Sequence, residues 1–248
     1  MLTRVLLAVL LCGMTAGLAM GIIQELRLTP LILHAETFEG AAAGHDHGAA
    51  EPVAPTPETA APAAPAAPAA HDHGDASAWA PQDGTERTLY TFAASILAGA
   101  GFAALLAGVA MLSGKTITRE NGWVWGLCAF VAVSLAPAMG LSPELPGMPA
   151  ADLVARQVWW LGTIAATAAA LWLIAFRRET WAPVLAVALA VIPHVIGAPQ
   201  PADHASAVPA SLAAQFAGAS LAANAAMWLL LGLMLGHVLP RVEDTGAP

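Results

Sequence analysis

The side chains of this sequence that are best suited to bind a metal ion are histidines, and one histidine-bearing tetrapeptide occurs twice. His-Asp-His-Gly is found at residues 45–48 and again at residues 71–74. Two imidazoles and a carboxylate at this spacing suit Co²⁺, Ni²⁺, Cu²⁺ or Zn²⁺ rather than Mg²⁺ or Ca²⁺. We therefore predict metal capture by His45, His47, His71 and His73. A merely polar, solubilising spacer stays open as the alternative.

A second group of candidate ligands lies late in the chain. His194 follows Pro193 near the end of an apolar run, and Asp203 and His204 lie in the short proline-bounded segment after it. Proline removes one helix hydrogen bond and opens the backbone locally, which is a setting that transporter binding sites use. We predict that His194, Asp203 and His204 form an outer-facing metal site. A hydrogen-bonded histidine and an exposed loop pair without a role are the alternatives.

Three further candidates are His34, Glu36 and Glu144. His34 and Glu36 follow the first apolar run, and they can face a common ion only where the chain is extended, because residues two apart do not share a helix face. Glu144 lies in a rigid loop that contains three prolines in seven residues. Asp152, four residues before Arg156, is predicted to cap the helix that follows that loop.

The elements that must position these residues are apolar helices. Hydrophobic residues make up 58% of the 248 residues and charged residues 10%, which is too apolar for a soluble domain. Six uncharged runs each reach the roughly 20 residues that a membrane-spanning helix needs. These runs are Val5–Gln24, Thr88–Gly114, Asn121–Pro143, Gln157–Phe176, Thr180–Ala202 and Ala205–Pro240. The predicted fold is therefore all-α: a polytopic membrane bundle of about six transmembrane helices, the fifth weakened by its prolines.

The distribution of basic residues predicts the orientation. With the amino terminus in the cytoplasm, six of the nine Lys and Arg residues lie in inside segments, as the positive-inside rule requires. All the candidate ligands then lie on or near the outer face of a bacterial inner membrane. Thirteen of the 17 acidic residues lie outside as well, and their field would concentrate cations there.

The sequence divides into five predicted regions. Residues 1–23 form the first transmembrane helix, a possible signal anchor, and residues 24–39 an interfacial outside segment with a short helix after Pro30. Residues 40–83 form a disordered outside tether rich in Ala, Pro and His, 84–240 a five-helix membrane bundle, and 241–248 a cytoplasmic tail. Gly13, Gly17 and Gly21 give the first helix a close-packing face, which favours its retention over cleavage as a signal peptide.

Several classes of function are excluded by what the sequence lacks. It contains no phosphate-binding glycine loop and no His-Glu-x-x-His, Gly-x-Ser-x-Gly or Cys-x-x-Cys motif, so we predict that it is not an enzyme. Its net charge of −8 and the absence of a basic patch argue against nucleic-acid binding.

Several stretches resemble one known family, the predicted cobalt transporter subunit CbtA. They are the glycine-spaced first helix up to Gln24, Thr29–Glu36, Glu86–Thr91, Leu135–Ala138, Pro143–Gly147, Asp152-Leu153, Arg156–Trp160 and Pro193–Pro199. The resemblance covers roughly residues 1–39 and 84–240, and leaves out the tether. It implies an integral membrane component of cobalt uptake, linked to cobalamin metabolism, that works beside a small one-span, histidine-bearing partner, CbtB.

These observations predict a membrane component of a Co²⁺ uptake system that collects the ion outside and passes it through the helix bundle. A membrane-anchored metal-binding or assembly subunit with no pathway of its own is the alternative. No permanently bound cofactor is expected. Cobalt is named as the transported ion by the resemblance alone, which leaves Ni²⁺, Zn²⁺ and Cu²⁺ open. The expected partners are membrane lipid, a divalent metal ion and the CbtB-like subunit.

Overall fold

A computed structural model describes residues 2–43 and 81–244, and every regular element in these two ranges is a helix. The predicted all-α membrane bundle is therefore confirmed. The four histidines of the repeated tetrapeptide, His45, His47, His71 and His73, lie outside the described residues.

Eight α-helices and two π-helical segments make up the described chain. They are α1 (Leu2–Ile23), a first π segment (Gln24–Leu28), α2 (Thr29–Ala43), α3 (Thr85–Leu112), α4 (Gly122–Phe130), a second π segment (Val131–Leu135), α5 (Ala136–Ala138), α6 (Leu153–Phe176), α7 (Ala182–Ile196) and α8 (Ala210–Asp244).

Each of the six predicted apolar runs contains a helix, but the helices differ in length. Four helical stretches are long and apolar enough to cross a membrane: Leu2–Phe38, Thr85–Leu112, Leu153–Phe176 and Ala210–Val242. The other two apolar stretches, Gly122–Ala138 and Ala182–Ile196, are shorter. At 1.5 Å per residue α7 is roughly 22 Å long, less than the hydrocarbon thickness of about 30 Å. It stops at Gly197, whose φ of 86° no helix can contain.

The two π segments share one sequence feature, a proline two residues beyond the end of each. The backbone N–H of Thr29 bonds to the carbonyl of Gln24, and that of Ala136 bonds to the carbonyl of Val131, five residues back in both cases. A proline in a regular helix clashes with the carbonyl four residues earlier. The wider π turn ahead of Pro30 and Pro137 relieves that clash, so α1 runs through to α2 without a break.

Close helix pairs are built on glycine. A Cβ added to Gly13 would lie 2.6 Å from Cα of Ala100, and one added to Gly17 would lie 2.7 Å from Cα of Ile96. The predicted glycine face of α1 is thus confirmed as its contact with α3. A Cβ on Gly126 of α4 would lie 3.1 Å from Cα of Leu229 in α8, a second glycine contact of the same kind.

The main apolar core surrounds α8. Trp228, Leu231 and Leu235 are fully buried among residues of α1, α3 and α4. Helices α6 and α7 form a separate pair, which has its own small cluster around Ala170 and Ala186.

The loops and helix ends gather at two opposite ends of the bundle. Ala35, Leu145 and Val208 pack in one apolar cluster, which joins α2, the α5–α6 loop and the start of α8. We call this end, formed by residues 28–38, 82–90, 139–156 and 194–212, the histidine end. At the opposite end, residues 113–121, 176–181 and 237–244 meet, for example where the Lys115 ammonium lies over the ring of Phe176 at 5.4 Å from its centroid. We call that end, which carries most of the Lys and Arg side chains, the basic end.

Candidate metal-binding residues and two membrane cavities

The six predicted ligands within the described residues all lie at the histidine end. They are His34, Glu36, Glu144, His194, Asp203 and His204. The structure does not gather them into one centre. Within residues 2–43 and 81–244, no three His, Cys, Asp or Glu side chains are close enough together to hold one metal ion.

His194 has a well-defined position at the end of α7. Its half-buried ring stands edge-on to the ring of Trp159 on α6, with 6.0 Å between centroids. The indole Nε1 of Trp159 donates a hydrogen bond of 3.2 Å to the carbonyl of Pro193, next to the histidine. Gly140 packs against the same indole, where a Cβ would come within 2.5 Å of the ring. The histidine therefore packs against an aromatic neighbour and stays partly exposed.

Asp203 and His204 lie in the loop that follows α7, and both are exposed. The Asp203 carboxylate accepts a hydrogen bond of 2.9 Å from the backbone N–H of Ala205, which orders the turn. His204 makes no hydrogen bond or ion pair with any residue that the structure describes. Both side chains are therefore accessible from outside the bundle, and their role as metal ligands stays a prediction.

His34 and Glu36 do not form a shared site, because the chain is helical there. The His34 ring contacts Phe38 one turn later, with 5.4 Å between centroids. The Glu36 carboxylate forms a two-pronged ion pair with Arg87 at the start of α3, with one contact at 3.2 Å. Arg87 also binds Asp83 at 2.9 Å. The Glu36 carboxylate is thus engaged in an ion pair with Arg87. His34 stays a separate candidate metal ligand.

Glu144 is likewise paired with an arginine. Its carboxylate lies 2.7 Å from Nη2 of Arg156. The predicted cap is confirmed, since Asp152 accepts a hydrogen bond of 2.8 Å from the backbone N–H of Ala155. With Asp152 occupied at the helix terminus, Arg156 turns to the loop glutamate and not to the aspartate four residues before it.

Two cavities extend from the histidine end toward the middle of the bundle. The α6 cavity, of about 390 Å³, lies between the second π segment, the α5–α6 loop, α6 and α8; its polar lining residues are Ser134, Ser142, Glu144, Arg156, Gln157 and Asn224. The α3 cavity, of about 240 Å³, lies between the first π segment, α2, α3 and α8; its polar lining residues are Gln24, Thr29, Arg87, Thr91, Ser220 and Asn224. Sequence reasoning missed both cavities, and its only available signal was a few uncharged polar residues within apolar runs.

The two cavities have similar electrostatics. Each is bordered by one arginine, Arg156 or Arg87, and each arginine is neutralised by a glutamate. All four side chains are only 27–31% exposed, so the pairs are partly shielded from water. Neither arginine therefore presents an uncompensated positive charge to its cavity.

Comparison with known proteins identifies a family. A family model described as "Probable cobalt transporter subunit (CbtA)" matches residues 2–240, which agrees with the resemblance found in the sequence. No curated protein and no solved structure matches the chain.

Proposed function

This chain belongs to the CbtA family of probable cobalt transporter subunits, and from that premise we propose that it takes up Co²⁺ across the bacterial inner membrane. It acts as a transport component and not as an enzyme. The ion is collected on the outer face at the histidine end, and it moves inward through the helix bundle. The membrane potential would supply about 4.6 kcal/mol per 100 mV for a divalent ion, which is twice the value for a single charge.

The observation that carries this proposal is the placement of the candidate ligands relative to the cavities. His194, Asp203 and His204 offer exposed or half-exposed donors at the same end of the bundle from which both cavities extend. Glu36 and Glu144 have a different role, because they neutralise the arginines that border the cavities. The imidazoles of His194 and His204 therefore capture the cobalt ion, and His34 provides a further imidazole ligand at the histidine end.

Substitution of His194 tests the proposal. We expect His194→Ala to abolish cobalt accumulation in cells, because the imidazole that packs against Trp159 at the histidine end is lost. The matched control is His237→Ala, which removes an exposed histidine at the basic end and should leave accumulation within about twofold of the wild type. Normal cobalt accumulation in the His194 variant would contradict the proposed pathway.

A second function has one observation in its favour. Because no three metal-binding side chains meet within the described ranges, the protein could hand the ion to a partner without forming a pathway itself. The partner would be a small one-span subunit bearing histidines. Vesicles reconstituted with this protein alone, and with such a partner, separate the two functions: cobalt entering with this protein alone supports transport, whereas binding without entry supports the accessory role.

A further inference from the structure

Asn224 on α8 is the one residue that lines both cavities. It lies 14 residues after the first residue of α8, which corresponds to roughly 21 Å along the helix axis. That distance places Asn224 in the middle of the membrane-spanning stretch Ala210–Val242. The two cavities therefore converge, from different sides of α8, on one polar side chain deep in the bundle.

Some polar atoms around Asn224 make no hydrogen bond within the described part of the protein. The Asn224 amide donates a hydrogen bond of 2.9 Å to the backbone carbonyl of Ser220, but its Oδ1 accepts none from the residues that the structure describes. Ser220 is 8% exposed, and its hydroxyl has no hydrogen-bond partner in the described chain either. Polar groups within a membrane raise the free energy of the protein unless they are paired or contact water or another polar species. Both oxygens are therefore free to accept hydrogen bonds from a polar species that occupies a cavity.

The donor set around Asn224 decides what that species can be. No His, Cys or Asp lines either cavity, and the one lining carboxylate, Glu144, is bound to Arg156. The remaining lining groups include neutral amide and hydroxyl oxygens, which can accept hydrogen bonds from the water molecules that a hydrated ion carries. Six waters at about 30 Å³ each occupy roughly 180 Å³, and the cavities measure about 240 and 390 Å³. A divalent cation can therefore fit with its hydration shell intact.

We propose that Asn224 marks an internal binding position for a divalent cation that retains its water molecules. The ion reaches this position from the histidine end through the two cavities, and Asn224 Oδ1 accepts hydrogen bonds from the coordinated water. This proposal rests on the proposed function and adds the chemical form of the ion and its position in the bundle. Weak neutral ligands bind such an ion only loosely, so it can leave again, which conduction requires.

Thiol labelling tests whether the position is hydrated and binds metal. Asn224→Cys and Ala226→Cys are made in a chain whose Cys12 and Cys128 are replaced by alanine. A charged, membrane-impermeant thiol reagent is then added from outside. Ala226 is exposed on another side of α8 and lines neither cavity, so its cysteine would face lipid. We expect Asn224→Cys to react at least tenfold faster, and cobalt chloride to slow that reaction. Equal rates, or no slowing by cobalt, would overturn the proposal.

Transport measurements provide the second test. We expect Asn224→Leu to lower cobalt accumulation at least tenfold, while equilibrium binding of cobalt to the purified protein changes less than twofold because the surface histidines remain. Gln215→Leu is the control, since Gln215 is exposed on the same helix and lines neither cavity. If His194→Ala blocks accumulation but Asn224→Leu does not, the internal position is wrong and the proposed function stands. If neither change affects accumulation, the proposed function itself fails.

Discussion

Each cavity is lined by one arginine that is paired with a glutamate, although the two pairs join different parts of the chain. Glu36 and Arg87 are 51 residues apart, whereas Glu144 and Arg156 are 12 residues apart. Because all four side chains are largely shielded, removal of one partner leaves the other charge poorly compensated. In the proposed pathway, the pairs keep these two positive charges from repelling a cation at the cavities.

The Glu144–Arg156 pair yields a prediction about single residues. Glu144→Gln leaves Arg156 uncompensated beside the α6 cavity, so we expect cobalt accumulation to fall about fivefold to tenfold. The double variant Glu144→Gln/Arg156→Gln removes both charges and should recover most of the loss. Initial rates of cobalt uptake at matched expression measure the effect. The control is Glu179→Gln, an exposed glutamate at the basic end.

A double variant that transports no better than Glu144→Gln would contradict this electrostatic explanation. Glu144 would then act on the ion directly, as a ligand, and not through the charge of Arg156.

Residue types alone identified the candidate ligands but not what each one does. Histidines and acids near the apolar runs could be named from the sequence, and the structure places the six described ones at one end. The sequence could not show that Glu36 and Glu144 form ion pairs with arginines, because those contacts depend on tertiary structure. Asn224 was missed for the same reason: nothing in its local sequence shows that two cavities meet there.

At the level of helices, glycine permits the two closest contacts in the bundle, α1 with α3 and α4 with α8. Without side chains between them the backbones approach directly, which maximises dispersion contacts where lipid offers no hydrophobic driving force. The four-residue spacing of glycines in α1 made its packing face predictable from sequence. The partner helix was not predictable, because small residues occur in nearly every apolar run.

The α1–α3 contact can be tested with two glycines of one helix. A Cβ on Gly99 would lie 2.8 Å from Cα of Gly17, whereas a Cβ on Gly101 would meet nothing within 4 Å. We expect Gly99→Val to destabilise the bundle by about 1–3 kcal/mol, the usual range for overpacking. Gly101→Val should leave the stability nearly unchanged. Thermal unfolding of the purified protein in detergent measures both, and equal melting temperatures would argue against the close packing.

Hydropathy predicted where apolar helices lie but not how long they are. The predicted runs 121–143 and 180–202 contain helices that end at Ala138 and Ile196, because uncharged loop residues extend an apolar run beyond its helix. The π segments were equally hidden, since they are defined by a shift in hydrogen-bond register, which hydropathy does not report.

For the molecule as a whole, the separation of histidines from basic residues predicts its orientation. We expect the basic end to face the cytoplasm. A cysteine placed at exposed Ala202, at the histidine end, should react with an impermeant thiol reagent in intact cells. A cysteine at exposed Thr180, at the basic end, should react only after the membrane is permeabilised. Labelling of position 180 but not of position 202 in intact cells would place the candidate ligands in the cytoplasm. It would contradict the proposal that they collect cobalt for uptake.

The repeated tetrapeptide gives a second prediction at this scale. Deletion of residues 41–80 removes four predicted metal-binding histidines but none of the residues that line the cavities. We expect uptake to weaken at low cobalt, where capture limits the rate, and to match the wild type at saturating cobalt. Uptake measured across a range of cobalt concentrations should therefore show a higher half-saturation concentration and an unchanged maximum. A lowered maximum would mean that this segment belongs to the pathway.

The separation of the α6–α7 pair from the main core has a mechanical consequence. Among the described residues, none from α6 or α7 belongs to the apolar core around α8. The α6 cavity has walls on both sides of that division, whereas α1, α3, α8 and the first π segment, which supply most of the walls of the α3 cavity, lie on one side of it. A tilt of the α6–α7 pair would therefore change the aperture of the first cavity and leave the second nearly rigid.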